Sequence, residues 1–502
     1  MKRIFSALGE LNWSRRACLF FALCAAPVIA VSAQTLTTRV DFDGTNGANP
    51  AGPVVQGIDG NLYGVASQGG ANGYGTVFTM THGGVLTTLH SFDGTDGSLP
   101  NAVLLATNGD FYGTTYGAGP YYYGNAIGPG TVFKITPGGK FTSRYTFCTQ
   151  TGCADGEYPG GGLVQATNGD LYGITSYGGA YGGGTIFEIT PAGKLMTLYS
   201  FCSQQPGCTD GETPSAGLIQ ATNGSLYGTT EYGGAKNAGT VFKMTPGGKL
   251  TTLYSFCSQT GCTDGSGPVG AIVQATDGSF YGTTSDYGTG GYGTVFKMTP
   301  GGRLTTLYSF CSQPGCTDGY QPYDGLIQAT DGNFYGTTPY SAATCAVRAY
   351  GYGCGTIFKM TPSGELTTIF SFDGANGLYS YAGLLQATSG NFYSVTFFGG
   401  GKSGCPPYDG CGTIYSLSVG LGPFVTAQPT SGKAGAKVTI LGTNLTDASS
   451  VTFNGTAAMP FMVNSFGTAI STTVPTGATT GTVQVVTPSG TLSSNVPFRV
   501  LP

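Results

Sequence analysis

Residues 217–256 read GLIQATNGSLYGTTEYGGAKNAGTVFKMTPGGKLTTLYSF, and close variants of this stretch recur along most of the chain. A unit repeated this often buries its apolar side chains against copies of itself, which restricts the fold to stacked or ring-shaped repeat architectures. The unit carries its own punctuation. Asn223-Gly224 supplies the positive φ angles of a tight hairpin turn, the Gly-rich run 233–239 makes a second break, and Pro246-Gly247-Gly248 makes a third. Between the breaks lie four runs, GLIQAT (a), SLYGTT (b), GTVFKMT (c) and KLTTLYSF (d), each the length of a strand and too short for a helix. Four antiparallel strands per repeat is the composition of a propeller blade. Leu226 alternates with Tyr227 and Val241 with Phe242, so runs b and c are apolar on both faces, as a sheet packed between two neighbours requires.

The aromatic of run b recurs seven times, at Tyr63, Tyr112, Tyr172, Tyr227, Tyr281, Tyr335 and Tyr393. Run c ends seven times, at Phe78, Phe133, Phe187, Phe242, Phe296, Phe358 and Tyr415. The closing Phe of run d also occurs seven times, at Phe42, Phe92, Phe147, Phe201, Phe256, Phe310 and Phe372, but this series starts before the first run a and stops before the last run c. Residues 35–42 are therefore an orphan d strand. The expected fold is all-β: a seven-bladed β-propeller over 34–419, closed by the N-terminal strand so that no sheet edge stays open.

The chain opens with an address. Lys2, Arg3, Arg15 and Arg16 precede the apolar run ACLFFALCAAPVIA, and Val31-Ser32-Ala33 is a small-residue cleavage site, so residues 1–33 read as a secretory signal peptide. The apolar run is shorter than the ~20 residues of a membrane span, and no span is expected after cleavage. The expected location is secreted, cell-surface or periplasmic. Removing the signal takes four of the 20 basic and one of the 24 acidic residues, leaving 16 against 23 and a charge of −7, which excludes a basic nucleic-acid surface.

Outside the signal, twelve cysteines fall into six close pairs: Cys148 with Cys153, Cys202 with Cys208, Cys257 with Cys262, Cys311 with Cys316, Cys345 with Cys354 and Cys405 with Cys411. Six local disulfides are the natural reading in an oxidising compartment; the pairs bring no His, which argues against zinc, and no metal site is expected. Each d-to-a loop carries an acid or amide before Gly, at Asn46, Asp96, Asp155, Asp210, Asp264, Asp318 and Asn376. Turn geometry is the favoured account of this series, with a calcium ladder as the alternative and no other cofactor expected. His82 and His90 stand where other repeats have Pro and Tyr and read as structural substitutes.

In a ring of this connectivity the b-to-c and d-to-a loops share one face, and the NG and PGG turns share the other. Three b-to-c loops are expanded and rich in residues that suit sugar rings or protein surfaces: Tyr121, Tyr122 and Tyr123, then Arg348, Tyr350 and Tyr352, then Tyr408. These seven are the candidate binding residues, against the alternative that their rings pack on their own loops. The aromatics that open the same loop in register, Tyr116, Tyr177, Tyr232, Tyr287, Tyr340 and Phe398, are expected to be structural. Past Gly420-Leu421-Gly422-Pro423 the repeat stops, and KVTILGTNL, SVTFNGTAA and GTVQVVTPSG alternate as the short strands of a small β-sandwich over 423–502.

Through QATNGSLYGTT, GTVFKMTPGG and LYSF, residues 36–418 resemble the GloVer (Gloeo-Verruco) repeat of secreted bacterial proteins, whose biochemical role the resemblance leaves open. Run b is also similar to the propeller repeat of two-component regulators, with Tyr in place of Trp. The tail resembles an IPT/TIG domain, an Ig-like module, through Pro429-Thr430-Ser431-Gly432, VTILGTNL, Val451-Thr452-Phe453-Asn454-Gly455 and TPSGT. That module implies a surface or polysaccharide-associated setting.

Two functions fit this reading. One is a secreted, non-catalytic binding or scaffold protein that engages extracellular glycan or protein through the long-loop face. The other is a glycan-active hydrolase or lyase on the same scaffold. Binding is preferred and no catalytic residue is assigned, because no paired carboxylates break the register: Glu157 and Glu212 occupy equivalent loop positions, Glu188 replaces a Lys of run c, and Asp409 stands alone.

Overall fold

Glycine-punctuated runs of β-branched and aromatic residues satisfy their backbone groups by pairing with neighbouring runs, and in the computed structural model each repeat does so as one antiparallel sheet. The structure describes residues 34–117, 128–341, 345, 353–402, 405 and 410–501; the proposed signal and all seven candidate binding residues lie outside them. In the repeat quoted above the strands are Ile219–Gln220, Leu226–Thr230, Thr240–Met244 and Leu250–Ser255, paired in chain order. Seven sheets of this kind occur among the described residues, one of them with a fifth strand, Glu157–Pro159. One of the seven joins Thr35–Asp41 to Thr413–Ser418 in antiparallel register, so the first strand completes the last repeat. Apart from short 3-10 turns such as Thr260–Cys262, the described residues contain no helix, and none is long and apolar enough to cross a membrane.

Strands b and c are buried along their length, and strand d is half-exposed, which places it at the rim. The apolar cores lie between sheets. Tyr227, Val241 and Phe256 of one repeat pack with Ile272, Phe280 and Phe296 of the next. The closing Phe of each strand d meets the c-strand ring of the following repeat edge-on: Phe92 with Phe133, Phe256 with Phe296 and Phe310 with Phe358 at 5.3–5.4 Å. Phe42 and Phe78 repeat this contact at 5.4 Å, joining the last repeat to the first. Such pairs add about 0.5–1.5 kcal/mol each beyond their buried area. The Tyr-Gly of run b has the same origin: a Cβ on Gly228 would lie 2.7 Å from Cζ of Phe242.

Strand a is shorter than its sequence predicts, pairing over two residues in most repeats. The residues before it turn inward and approach the next repeat instead, as where the amide of Gly161 donates to the Ser215 carbonyl at 2.9 Å. Just beyond strand a, a ladder links neighbours. Backbone N–H groups of Thr107, Thr167, Thr222, Thr276, Thr330 and Thr388 donate to side-chain oxygens of Gln165, Gln220, Gln274, Gln328, Gln386 and Gln56 at 2.8–3.1 Å. The series lacks one rung, between the first and second repeats, where Ile58 and Leu105 replace Thr and Gln.

The C-terminal segment sits at that gap. Gln428 Nε2 donates to the Leu105 carbonyl at 2.5 Å, and Asn464 Nδ2 and Thr468 Oγ1 donate to the Ile58 carbonyl, each at 2.7 Å. Leu441 and Ala469 enter the same core as Tyr63 and Phe111. The segment itself is built from two four-stranded sheets, one carrying Lys437–Leu441 and Ala469–Thr473, the other Ser450–Phe453 and Val483–Thr487. They enclose a single core of Ile440, Val451, Phe453, Ile470, Val485 and Phe498.

The d-to-a loops are fastened in two ways. Where a cysteine pair is present, the structure joins Cys148–Cys153, Cys202–Cys208, Cys257–Cys262 and Cys311–Cys316, and two further bonds, Cys345–Cys354 and Cys405–Cys411, close b-to-c loops. Six disulfides belong to an oxidising, extracytoplasmic compartment. The second fastening explains the acid-or-amide series. Asp155 Oδ2 accepts from the Tyr145 hydroxyl at 2.8 Å and from the amide and hydroxyl of Thr149, and Oδ1 accepts from the Gln150 amide. Tyr199–Asp210, Tyr254–Asp264 and Tyr308–Asp318 reproduce the pair, and His90 Nε2 replaces the phenol at 2.7 Å from Asp96. Where strand d offers no donor, at Val40 and Phe370, the loop carries Asn46 and Asn376 instead. These carboxylates are filled by protein donors, so turn geometry accounts for the series.

Candidate functional site at the channel mouth

The inward-turning segments leave a central cavity of about 380 Å³, to which every repeat contributes, including Asn101, Gly161, Ser215, Val269, Asp324 and Tyr381. Its wall is close-packed backbone: a Cβ on Gly270 would lie 2.5 Å from the Asp324 carbonyl carbon. Asn101 Nδ2 crosses to the Pro159 carbonyl at 2.7 Å. Ser215 Oγ is shielded from solvent and has no hydrogen-bond partner.

Asp324 stands where the aligned repeats have Ala216, Gly270 and Ala382. Its carboxylate accepts from the amides of Gly325 at 2.6 Å and Gly383 at 2.5 Å, which ties the sixth repeat to the seventh. Burial pushes its pKa up to about 6, and the two amides only partly offset that. Above it stand three tyrosines at near right angles. Tyr323 and Tyr381 are 5.5 Å apart at 85°, Tyr340 and Tyr381 6.2 Å apart at 85°, and Tyr323 and Tyr340 6.4 Å apart at 82°. The Tyr340 and Tyr381 hydroxyls share a hydrogen bond of 2.8 Å.

The rim carries more charge of the same sign. Burial first, then Tyr340, Asp286 and Glu231, push Tyr323 up to about 12. Tyr116, in the second repeat, is raised by burial, by Tyr177 and Tyr158, and then by Glu157 and Glu231. Glu231 thus acts on rings from repeats on both sides of its own. Asp286 accepts from Ser285 Oγ at 2.7 Å and from Gln321 Nε2 at 3.4 Å.

Sequence reasoning passed over Glu231, Asp286 and Asp324, and its premise that no set of carboxylates breaks the register does not hold here. Aligning each repeat with its neighbours, rather than looking only for expanded loops, exposes Asp324 among Ala and Gly, and Glu231 among Ser, Tyr, Pro and Phe. The register aromatics also divide. Tyr177 and Tyr232 are 44% and 45% exposed, whereas Tyr116, Tyr340 and Phe398 are half-buried. Tyr287 leaves the series altogether: Asp286 takes the pairing place of Tyr232 and Tyr340, bridging Ser266, and Tyr287 occupies the place of Gly233, at φ 59°.

Glu157 pairs with Tyr177 and Glu212 bridges Tyr232, both on the loop face. Glu188 accepts from the Tyr172 hydroxyl at 2.8 Å, beside the Asn168 turn on the opposite face. Asp409 lies outside the described residues. His90 stacks on Phe141 at 3.9 Å, and His82 lines a second cavity, of about 400 Å³, between the turn face and the C-terminal segment. That cavity is bounded by residues with roles in the repeat, such as Gln56 of the ladder and Tyr393 of strand b.

The sequence matches the family described as the Gloeobacter/Verrucomicrobia repeat over residues 28–127, 119–263 and 257–470. The chain belongs to that repeat family. No curated protein matches it in sequence. Among solved structures, a fungal alcohol oxidase of the AA5 family, in complex with copper, is similar with TM-score 0.53 and 14% identity, over 93% of this chain and 99% of that one. A PQQ-bound aldose sugar dehydrogenase from Streptomyces coelicolor is similar with TM-score 0.38 and 11% identity, over 77% of this chain and 98% of that one. At 14% identity the likeness to the oxidase is one of fold alone: the repeat family member is an all-β, propeller-like protein.

Proposed function

We propose that this protein is an exported glycan-binding protein whose ligand sits at the loop-face mouth of the central channel and leaves unchanged. In this reading residues 1–33 are a signal peptide, 34–419 form a seven-bladed propeller closed by its N-terminal strand, and 423–502 form an Ig-like IPT/TIG sandwich serving as spacer or second contact. One observation carries the reading: Tyr323, Tyr381 and Asp324, side chains that depart from the repeat, line one open cavity. Flat rings with hydroxyls, set among carboxylates that accept from sugar hydroxyls, are the equipment of carbohydrate recognition. Tyr121, Tyr122, Tyr123, Arg348, Tyr350, Tyr352 and Tyr408, which lie outside the described residues, are proposed as further contacts for a longer chain.

A glycan array beside a hydrolysis and lyase screen tests this reading: binding without turnover, lost in Tyr323→Ala/Tyr381→Ala with the fold intact, is the expected result. The second reading is a glycan-active enzyme, favoured by Asp324, whose pKa of about 6 holds a proton donor near neutrality. Turnover that disappears in Asp324→Asn or Glu231→Gln would establish it. Copper chemistry of the kind in the fungal oxidase does not fit this chain. Its two histidines are spent on Asp96 and on the turn-face cavity. Among the described residues the one three-residue group with metal-binding side chains is Cys148, Cys153 and Glu157, and its sulfurs are bonded to each other.

A further inference from the structure

We infer that the mature chain begins with a pyroglutamate formed from Gln34, a lactam that seals the free strand end at the seam of the ring. The inference rests on the export reading, in which the chain is cut after Ala33, and goes beyond it. In the other repeats strands c and d are joined by a short turn, as where residues 245–249 connect Met244 to Leu250 and the Thr245 amide donates to the Lys249 carbonyl at 3.0 Å. The last repeat has no such turn, because its strand d is Thr35–Asp41, from the other end of the sequence. Leu417 pairs with Leu36 as Met244 pairs with Leu250, which puts Thr35 in the place of Lys249 and Gln34 in the place of Gly248. The cut therefore falls where the other repeats keep a covalent turn, and the new amine stands one residue before the first strand pair, Thr35 with Ser418.

A glutamine at a chain start carries its own electrophile. Its uncharged α-amine attacks Cδ of its own side-chain amide, the N–Cδ bond closes a five-membered ring, and the side-chain nitrogen leaves as ammonia; the step needs no co-reactant. An α-amino group has a pKa of about 8, so a reactive uncharged fraction is present at neutral pH. Gln34 is exposed and precedes the ladder, so ring closure breaks no strand pair. The consequence falls on the seam. Leu36 packs against the core that holds Phe392 and Tyr415, Arg39 Nε donates to Ser416 Oγ at 3.0 Å, and Val40 packs against the core that holds Phe42 and Phe78. Chain ends open locally and are the first to be trimmed. With a free amine at Gln34, an aminopeptidase could remove the outer rungs in turn, whereas a lactam offers it no amine to bind.

Mass spectrometry of the protein exported with its own residues 1–33, purified with its disulfides intact and aged at neutral pH, tests this. The intact mass and the N-terminal peptide are expected to show a chain that begins at residue 34 and is lighter by one ammonia. Aminopeptidase should leave this protein whole until pyroglutamyl peptidase has removed the lactam. Gln34→Ser, which cannot cyclise, should lose residues of Thr35–Asp41 to aminopeptidase without any pretreatment, yet melt with the wild type before digestion. An unmodified Gln34 at the chain start, or trimming of the wild type as fast as of Gln34→Ser, would overturn the inference and leave the export reading standing. A chain that begins elsewhere, or that keeps residues 1–33, would remove both.

Discussion

The two faces of the ring are made from the same repeat and differ in what they tolerate. On the turn face each residue answers to its neighbour: the Gln ladder runs from Thr107 to Gln165 and on to Thr388 and Gln56, and where Ile58 and Leu105 interrupt it the C-terminal segment supplies Gln428, Asn464 and Thr468. A departure from the pattern there is met by a compensating contact. On the loop face some departures are met in the same way, as where His90 answers Asp96 and the Gly325 and Gly383 amides hold Asp324, but others border an open cavity. Asp324 replaces Ala or Gly and acquires a raised pKa despite its two amide donors, and Tyr232 and Tyr323 keep much of their surface in solvent. Residues that break the repeat beside open space are the ones to assign to a ligand.

The contrast breaks most visibly at the cores between sheets. Phe42 is fully buried and closes the ring on Phe78, so Phe42→Ala is expected to cost about 3–5 kcal/mol in denaturant unfolding. Tyr323→Ala at the mouth should cost no more than about 1 kcal/mol. Comparable losses would mean that the loop face is as structural as the core. At the interrupted joint, Gln428→Ala/Asn464→Ala removes the two hydrogen bonds these side chains make to the ring, with three more between Asn464 and Thr468 or Ala469, and should cost about 1 kcal/mol per bond, with faster amide exchange around Leu105 and Ile58. Unchanged exchange there would show that the C-terminal segment merely rests on the ring.

The carboxylates sharpen the same comparison through pH. Asp155 is penalised by burial, but donors from Tyr145, Thr149 and Gln150 outweigh this and hold its pKa below the ordinary value. Its contribution is present above the unfolded carboxylate pKa and is lost as pH falls through the folded one. Asp324 runs the other way. Its folded pKa is about 6, so its contribution is full below the unfolded value and is lost as pH rises through about 6. Thermal melts between about pH 4 and 7 should therefore show a loss with rising pH in the wild type that Asp324→Ala lacks. Parallel curves would place Asp324 in an ordinary solvated setting. Asp264→Asn should cost about 1–3 kcal/mol, and adding Tyr254→Phe should cost less than the sum, because the two share one hydrogen bond.

Most of the repeat was legible in the sequence because one periodic constraint generates it. Phe, Tyr and Gly recur where each sheet must meet the next, so the strand series, the displaced first strand and the six cysteine pairs could all be counted. The Tyr–Asp pairs were harder to read, since Tyr254 and Asp264 are joined only once the d strand and its loop fold back on each other. The mouth was hidden for a different reason. Run a looked like a full strand, and only its inward turn carries Asp324 into the channel, where it meets rings from other repeats. That Asp286 stands in the place of Tyr232, and Tyr287 in that of Gly233, follows from aligning two loops of equal length; strand pairing then puts Asp286 opposite Ser266.

We propose that the loop-face mouth, and not the turn face, holds the ligand. The most direct measurement compares, by titration calorimetry, the affinity of one glycan selected on the array for the wild type, for Tyr323→Ala/Asp324→Ala at the mouth, and for His82→Ala/Phe466→Ala in the turn-face cavity. A loss of at least about tenfold confined to the mouth variant, with both variants melting near the wild type, is the predicted result. Loss in the turn-face variant with full affinity at the mouth would contradict it.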